Sequence, residues 1–73
     1  MASHMLESLV TGTVWKLERR VGDAVAAGDA VLIVESMKME IPIDAPAAGT
    51  VAALHVAEGD SVAEGQVLGV VTS

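Results

Sequence analysis

Residues 12–36 read GTVWKLERRVGDAVAAGDAVLIVES, and residues 49–73 read GTVAALHVAEGDSVAEGQVLGVVTS. Laid over one another without a gap, the two stretches are identical at 11 of 25 positions. The matches include Gly12/Gly49, Thr13/Thr50, Val14/Val51 and Leu17/Leu54, then Gly22/Gly59, Asp23/Asp60, Val25/Val62 and Gly28/Gly65. Each copy opens G-T-V-x-x-L, passes through G-D-x-V-A-x-G and closes on a β-branched run. Two copies are too few for a solenoid, which needs three or more repeats to bury its faces. A pair in one short chain points instead to a single domain with internal two-fold pseudosymmetry.

Local signals within each copy are those of strands. Thr13 to Glu18 and Thr50 to Val56 are β-branched segments that follow a glycine. Val31 to Val34 and Val67 to Val71 are short, apolar and bounded by turn residues, as buried strands are. Gly22-Asp23, Gly59-Asp60, Gly28 and Gly65 mark turns. The alanines between Ala24 and Ala30 are hemmed by glycines, which argues against a helix. The pattern predicts about eight short strands in two related sets, an all-β chain folded as a flattened antiparallel barrel or sandwich. The repeated G-D-x-V-A-x-G is turn chemistry, because no Gly-Lys-Ser/Thr follows to make a phosphate loop.

Composition narrows the function. The chain has 73 residues, enough for one small domain. It is 52% hydrophobic but only 1% aromatic, with Trp15 standing alone, so the apolar mass is Val and Ala with some Leu and Ile. Such side chains suit closely spaced strands better than a deep pocket, which argues against a self-contained enzyme. Four Lys and Arg against ten Asp and Glu give a net charge of −6, a poor match for nucleic acid or an anionic membrane. No apolar run approaches the ~18 residues of a membrane span. With no Cys there is no disulfide, thiolate metal site or cysteine nucleophile. Residues 1–5 read as an expression scar, the domain is expected over 6–73, and with no leader sequence in view a cytoplasmic protein is expected.

Between the copies lies Met37-Lys38-Met39-Glu40-Ile41-Pro42-Ile43-Asp44-Ala45-Pro46-Ala47-Ala48, a hairpin followed by a strand. A two-residue turn at Met37-Lys38 pairs Ser36 with Met39, Glu35 with Glu40 and Val34 with Ile41. Three local rules are then broken at one place. Two-residue hairpin turns favour Asn-Gly and its like, because both central residues take φ > 0. Glu35 and Glu40 face each other as like charges. Two methionines at the tip expose apolar surface. Rule-breaking gathered at one spot marks function. A hairpin lysine taken alone is an ordinary solvated charge, as Lys16 is on its strand. Lys38, at the break in the repeat and flanked by methionines, is the candidate functional residue.

Glu35-Ser36-Met37-Lys38-Met39-Glu40 resembles the attachment motif, (Ala/Ser)-Met-Lys-Met, of biotinyl domains from biotin-dependent carboxylases and decarboxylases. The resemblance runs from about Leu6 to the end and takes in both glycine-aspartate turns and the Ala45-Pro46 to Gly49 link. It implies a flattened barrel of two four-stranded sheets, with Lys38 carrying biotin in amide linkage and Met37 and Met39 flanking it as recognition residues. It also implies three partners: a biotin protein ligase that loads Lys38, a biotin carboxylase and a carboxyltransferase between which a carboxyl group is shuttled. The domain itself would be a monomeric carrier and no catalyst. Leu9-Val10-Thr11-Gly12 stands where many such domains have Met-Pro-Gly. The gapless repeat leaves no room for a "thumb" insertion, so the chain looks like the short, thumbless biotin/lipoyl attachment proteins.

Three rival readings use the same residues. A lipoyl-type acyl carrier shares the expected fold and hairpin lysine but shows Asp-Lys-Ala at its tip, although dual biotin and lipoyl use of Lys38 stays open. A plain interaction module would leave Lys38 unmodified and Met-Lys-Met unexplained. An enzyme would have to draw on His55, which alternates with Leu54 and Val56 and is expected to face solvent, or on Asp23 and Asp60, which are turn residues. No metal site is expected, since His55 lacks partner ligands.

Overall fold

The computed structural model describes residues 2–73 and contains eight strands and no helix among them. In chain order they are β1 (Ser3–Glu7), β2 (Gly12–Leu17), β3 (Ala24–Val25), β4 (Ala30–Ser36), β5 (Met39–Asp44), β6 (Gly49–Leu54), β7 (Ser61–Val62) and β8 (Val67–Thr72). They form two four-stranded antiparallel sheets, ordered β1-β8-β6-β3 and β5-β4-β2-β7. The all-β double-sheet architecture expected from the repeat is present, and each sheet draws strands from both halves.

The two halves match in hydrogen bonding as well as in sequence. Val14 N–H donates to the Asp60 carbonyl and Gly59 N–H to the Val14 carbonyl; Val51 and Asp23, Gly22 and Val51 repeat the arrangement, all four bonds at 2.8–2.9 Å. The Gly-Asp turns therefore act as clips, each holding the turn of one half onto the first long strand of the other. Their glycines carry φ of 97° (Gly22) and 93° (Gly59), a region that side chains disfavour. The aspartates close the same turns: Asp23 Oδ2 accepts from Arg20 N–H at 2.8 Å and Asp60 Oδ2 from Ala57 N–H at 2.9 Å.

Between the sheets lies a core of Leu6, Val14, Val25, Val31, Leu32, Val34, Ile43, Ala45, Val51, Val62, Leu68 and Val71. No member exceeds Leu in size, which explains how the fold dispenses with Phe and Tyr. Gly12 and Gly49 open β2 and β6 where the backbones of neighbouring strands press closest. A Cβ at Gly12 would run into the Glu35 carbonyl, and one at Gly49 into the Thr72 carbonyl. In β2 and β6 the register slips at Val14/Lys16 and Val51/Ala53, so Trp15 and Ala52 occupy equivalent bulges, and Trp15 is turned half out to solvent.

The domain boundary expected at Leu6 falls inside β1. Pairing with β8 starts at Ser3↔Thr72 and continues through His4↔Val71 and Met5↔Val70. This strand is the counterpart of residues 40–44: the two segments share no residue type at any position, yet both show the same order of exposed, half-buried and buried residues, with Leu6 and Ile43 turned inward. The structural repeat is therefore longer than the sequence repeat.

The molecule measures 36 × 18 × 18 Å, and the two-fold arrangement separates its ends. β2 starts beside the β4–β5 hairpin and leads to Gly22, which bonds Val51 near the start of β6. At that far end Thr50 pairs with Thr72, and the Ala2 and Ser73 backbones bond each other at 2.9 and 3.3 Å. Chain ends and hairpin tip thus occupy opposite poles.

Candidate functional site

The β4–β5 hairpin has the register its sequence specifies: Ser36↔Met39, Glu35↔Glu40, Val34↔Ile41. That leaves Met37 and Lys38 as a two-residue turn, with φ of 50° and 66°. These are the only non-glycine residues at positive φ among those described. A turn of this hand matches strand twist, which is why hairpins use it. For an L side chain the left-handed region costs about 1–2 kcal/mol per residue. Any sequence free of further demands would place Asn-Gly here.

The root of the hairpin is held from two sides. β4 lies between β5 and β2, so its backbone is bonded on both edges. Ser36 Oγ donates to the Thr11 carbonyl at 2.9 Å, and Thr11 Oγ1 accepts from Glu64 N–H at 3.0 Å. Thr11 therefore links the hairpin to the second half of the chain. In the sequence Thr11 stands out only as part of the Leu9-Val10-Thr11-Gly12 stretch, with no role evident; its place just before the repeated Gly12 is the available clue. β5 is a sheet edge, and Pro42 within it offers no N–H for another strand to pair with.

At the tip, Met37 is 93% and Met39 63% exposed, and Lys38 is exposed between them. Lys38 has no ion pair among the described residues, whereas Lys16 Nζ lies 3.6 Å from Glu18. Glu35 and Glu40 are both exposed and directly opposite, two carboxylates just below an amine that neither of them engages. Lys38 is exposed and has no ion pair among the described residues, so attachment of a group through Nζ would break none there. The lysine's fixed base and open head fit covalent attachment of a cofactor better than capture of one in a pocket.

Other candidates are not brought to this place. His55 is exposed on the stretch after β6, as expected from its alternation, with no side-chain hydrogen bond or ion pair among the described residues. Asp23 and Asp60 sit in separate turns and do not form a carboxylate pair. No group of three metal-binding side chains occurs among the described residues. A shallow groove of about 180 Å³ lies between β1 and β5, lined in part by Met5, Leu9, Pro42 and Pro46. It is below the roughly 300 Å³ where ligand pockets begin, and Lys38 is not part of it.

A β scaffold that presents one exposed, methionine-flanked lysine on a strained turn, with no ion pair among the described residues, has the geometry that a covalent-attachment domain needs. Comparison with known proteins agrees. The chain belongs to the biotin/lipoyl attachment family, whose profile, described as "Biotin-requiring enzyme", matches residues 1–71. It is 48% identical over 59 residues to the biotin/lipoyl attachment protein of Bacillus subtilis, covering 81% of each chain. It is 41% identical over 64 residues to the biotin carboxyl carrier protein of Streptococcus mutans, covering 88% of this chain and 49% of that one. Among solved structures, the Kluyveromyces lactis urea carboxylase superposes with a TM-score of 0.93 at 38% identity, over 99% of this chain and 6% of the carboxylase.

Proposed function

We propose that this domain is a biotin carboxyl carrier, with biotin held in amide linkage on Lys38. The observation that carries the reading is the Met37-Lys38-Met39 tip: an unpaired amine on a two-residue turn whose backbone strain buys display and nothing structural. In loading by a biotin protein ligase, Lys38 Nζ would attack the acyl carbon of biotinyl-adenylate. The amide bond forms as the acyl–phosphate bond breaks, AMP leaves and the amine gives up a proton. Among the described residues Lys38 has no ion pair to give up. Met37 and Met39 present two flexible apolar arms that a ligase can seat on either side of the amine. The strapped hairpin root fixes where that amine points.

Attached biotin supplies a ring that takes up and gives off a carboxyl group. The domain's own task is delivery between a biotin carboxylase and a carboxyltransferase. Tethering makes each visit effectively intramolecular, at roughly millimolar local concentration for a short linker. An acidic surface suits brief contacts with both partners, and a monomer leaves the tip free. The relatives include larger carboxylases of which this chain matches only a small part, such as human propionyl-CoA carboxylase alpha chain, at 9% of its length. Met-Lys-Met, against the Asp-Lys-Ala of lipoyl domains, favours biotin over a lipoyl group.

Intact-protein mass after incubation with biotin ligase, biotin and ATP tests the reading. One biotinyl group should be gained, and none by Lys38→Ala of unchanged fold. A folded protein that gains none, but is modified by a lipoate ligase, would overturn it.

A further inference from the structure

All three described methionines lie on the surface: Met5 is 67%, Met37 93% and Met39 63% exposed. Leu9 and Val21 are also exposed, at 66% and 59%, but neither carries a sulfur, and among the described residues the buried core contains no Met. The chain has no Cys to intercept an oxidant, so its thioethers are its softest nucleophiles. Two of them bracket Lys38. Their sulfurs need no unfolding to be reached, and nothing in the core depends on them.

We propose that Met37 and Met39 form a peroxide-reactive modification site, and that their conversion to sulfoxide suppresses loading of Lys38 while the fold stays intact. The inference rests on the reading that a biotin ligase loads Lys38 and meets its methionine flanks. In the step itself a sulfur lone pair attacks one oxygen of hydrogen peroxide and the O–O bond breaks. Sulfur keeps that oxygen as S=O, giving up two electrons, and the other oxygen leaves as water. A flexible apolar arm becomes a polar, chiral one. A partner surface shaped for two thioethers must then seat S=O dipoles without hydrogen-bond donors, at a desolvation cost that corresponds to about a tenfold loss of rate for one such group. The change is reversible by methionine sulfoxide reductases, one per epimer.

The test uses the unmodified protein treated with hydrogen peroxide, quenched, mapped by peptide mass and then loaded with biotin ligase, biotin and ATP. Oxygen is expected on Met37 and Met39 as well as Met5, with an unchanged melting curve. The initial loading rate should fall by at least about tenfold and recover after reductase treatment. The double variant Met37→Leu/Met39→Leu, which keeps Met1 and Met5, is compared with its own untreated form and should show no loss on peroxide treatment. Met5→Leu should lose rate as the parent does. An undiminished rate with both tip methionines converted would overturn the inference, and so would a loss that persists in the double variant. No loading of the untreated protein would instead refute the carrier reading, and the inference would fall with it.

Discussion

Replacing Met37-Lys38 by Asn-Gly should make the domain more stable. Both residues sit at positive φ, 50° and 66°, where an L side chain costs about 1–2 kcal/mol. Glycine at position 38 removes that cost, and asparagine at 37 lessens it. Against this stands the extra freedom of glycine in the unfolded chain, about 0.5–1 kcal/mol. Little packing is lost, because Met37 is 93% exposed and Lys38 has no ion pair among the described residues. The net gain is about 1–2 kcal/mol, a rise of at least about 4 °C in melting temperature for a domain of this size. Thermal unfolding followed by circular dichroism measures it, with Met37→Asn and Lys38→Gly made singly to apportion the effect. A melting temperature equal to or below the parent's would refute the idea that the tip is strained. The gain should come with complete loss of biotin loading, so that stability and function trade against each other at these two positions.

Other substitutions probe the scaffold by the same measurement. Leu6→Ala should cost about 2–5 kcal/mol, as expected for a fully buried leucine, and a negligible loss would show that β1 is not part of the core. Gly12→Ala should cost about 1–3 kcal/mol, since its Cβ meets the rigid Glu35 carbonyl, and hydrogen exchange in β4 should quicken. Glu40→Gln should stabilise by about 0.2–1 kcal/mol by relieving its repulsion from Glu35 across the hairpin. That gain should shrink in high salt, and a salt-independent change would rule out a charge effect.

Much of this arrangement was legible because it is written twice. The identical pairs from Gly12/Gly49 to Gly28/Gly65 lie where backbone geometry admits few residue types, at turns and close approaches. The hairpin stood out for the opposite reason, since Met37-Lys38 occupies a position that local chemistry would fill otherwise. β1 was illegible. Its counterpart in the repeat carries different residues, and inward-facing positions such as Leu6 and Ile43 ask only for a similar volume. Ser3 and His4 lie on an edge strand paired through its backbone, and the hydrogen bond between His4 Nε2 and Ser73 Oγ at 3.2 Å joins residues too far apart in the chain to leave a local signal. The strap through Thr11 was hidden because one hydroxyl and one carbonyl make it, contacts that leave no period in a sequence.

The neighbouring chain ends, opposite the lysine, carry a mechanical consequence. Because Ala2 and Ser73 are hydrogen-bonded to each other, the domain enters and leaves any larger polypeptide through one narrow doorway. Spliced into a surface loop of an unrelated protein, it would ask the host for a gap no wider than the spacing of two paired strands, about 5 Å. It would then stand out as a boom, its long axis of 36 Å holding the amine clear of the host's surface.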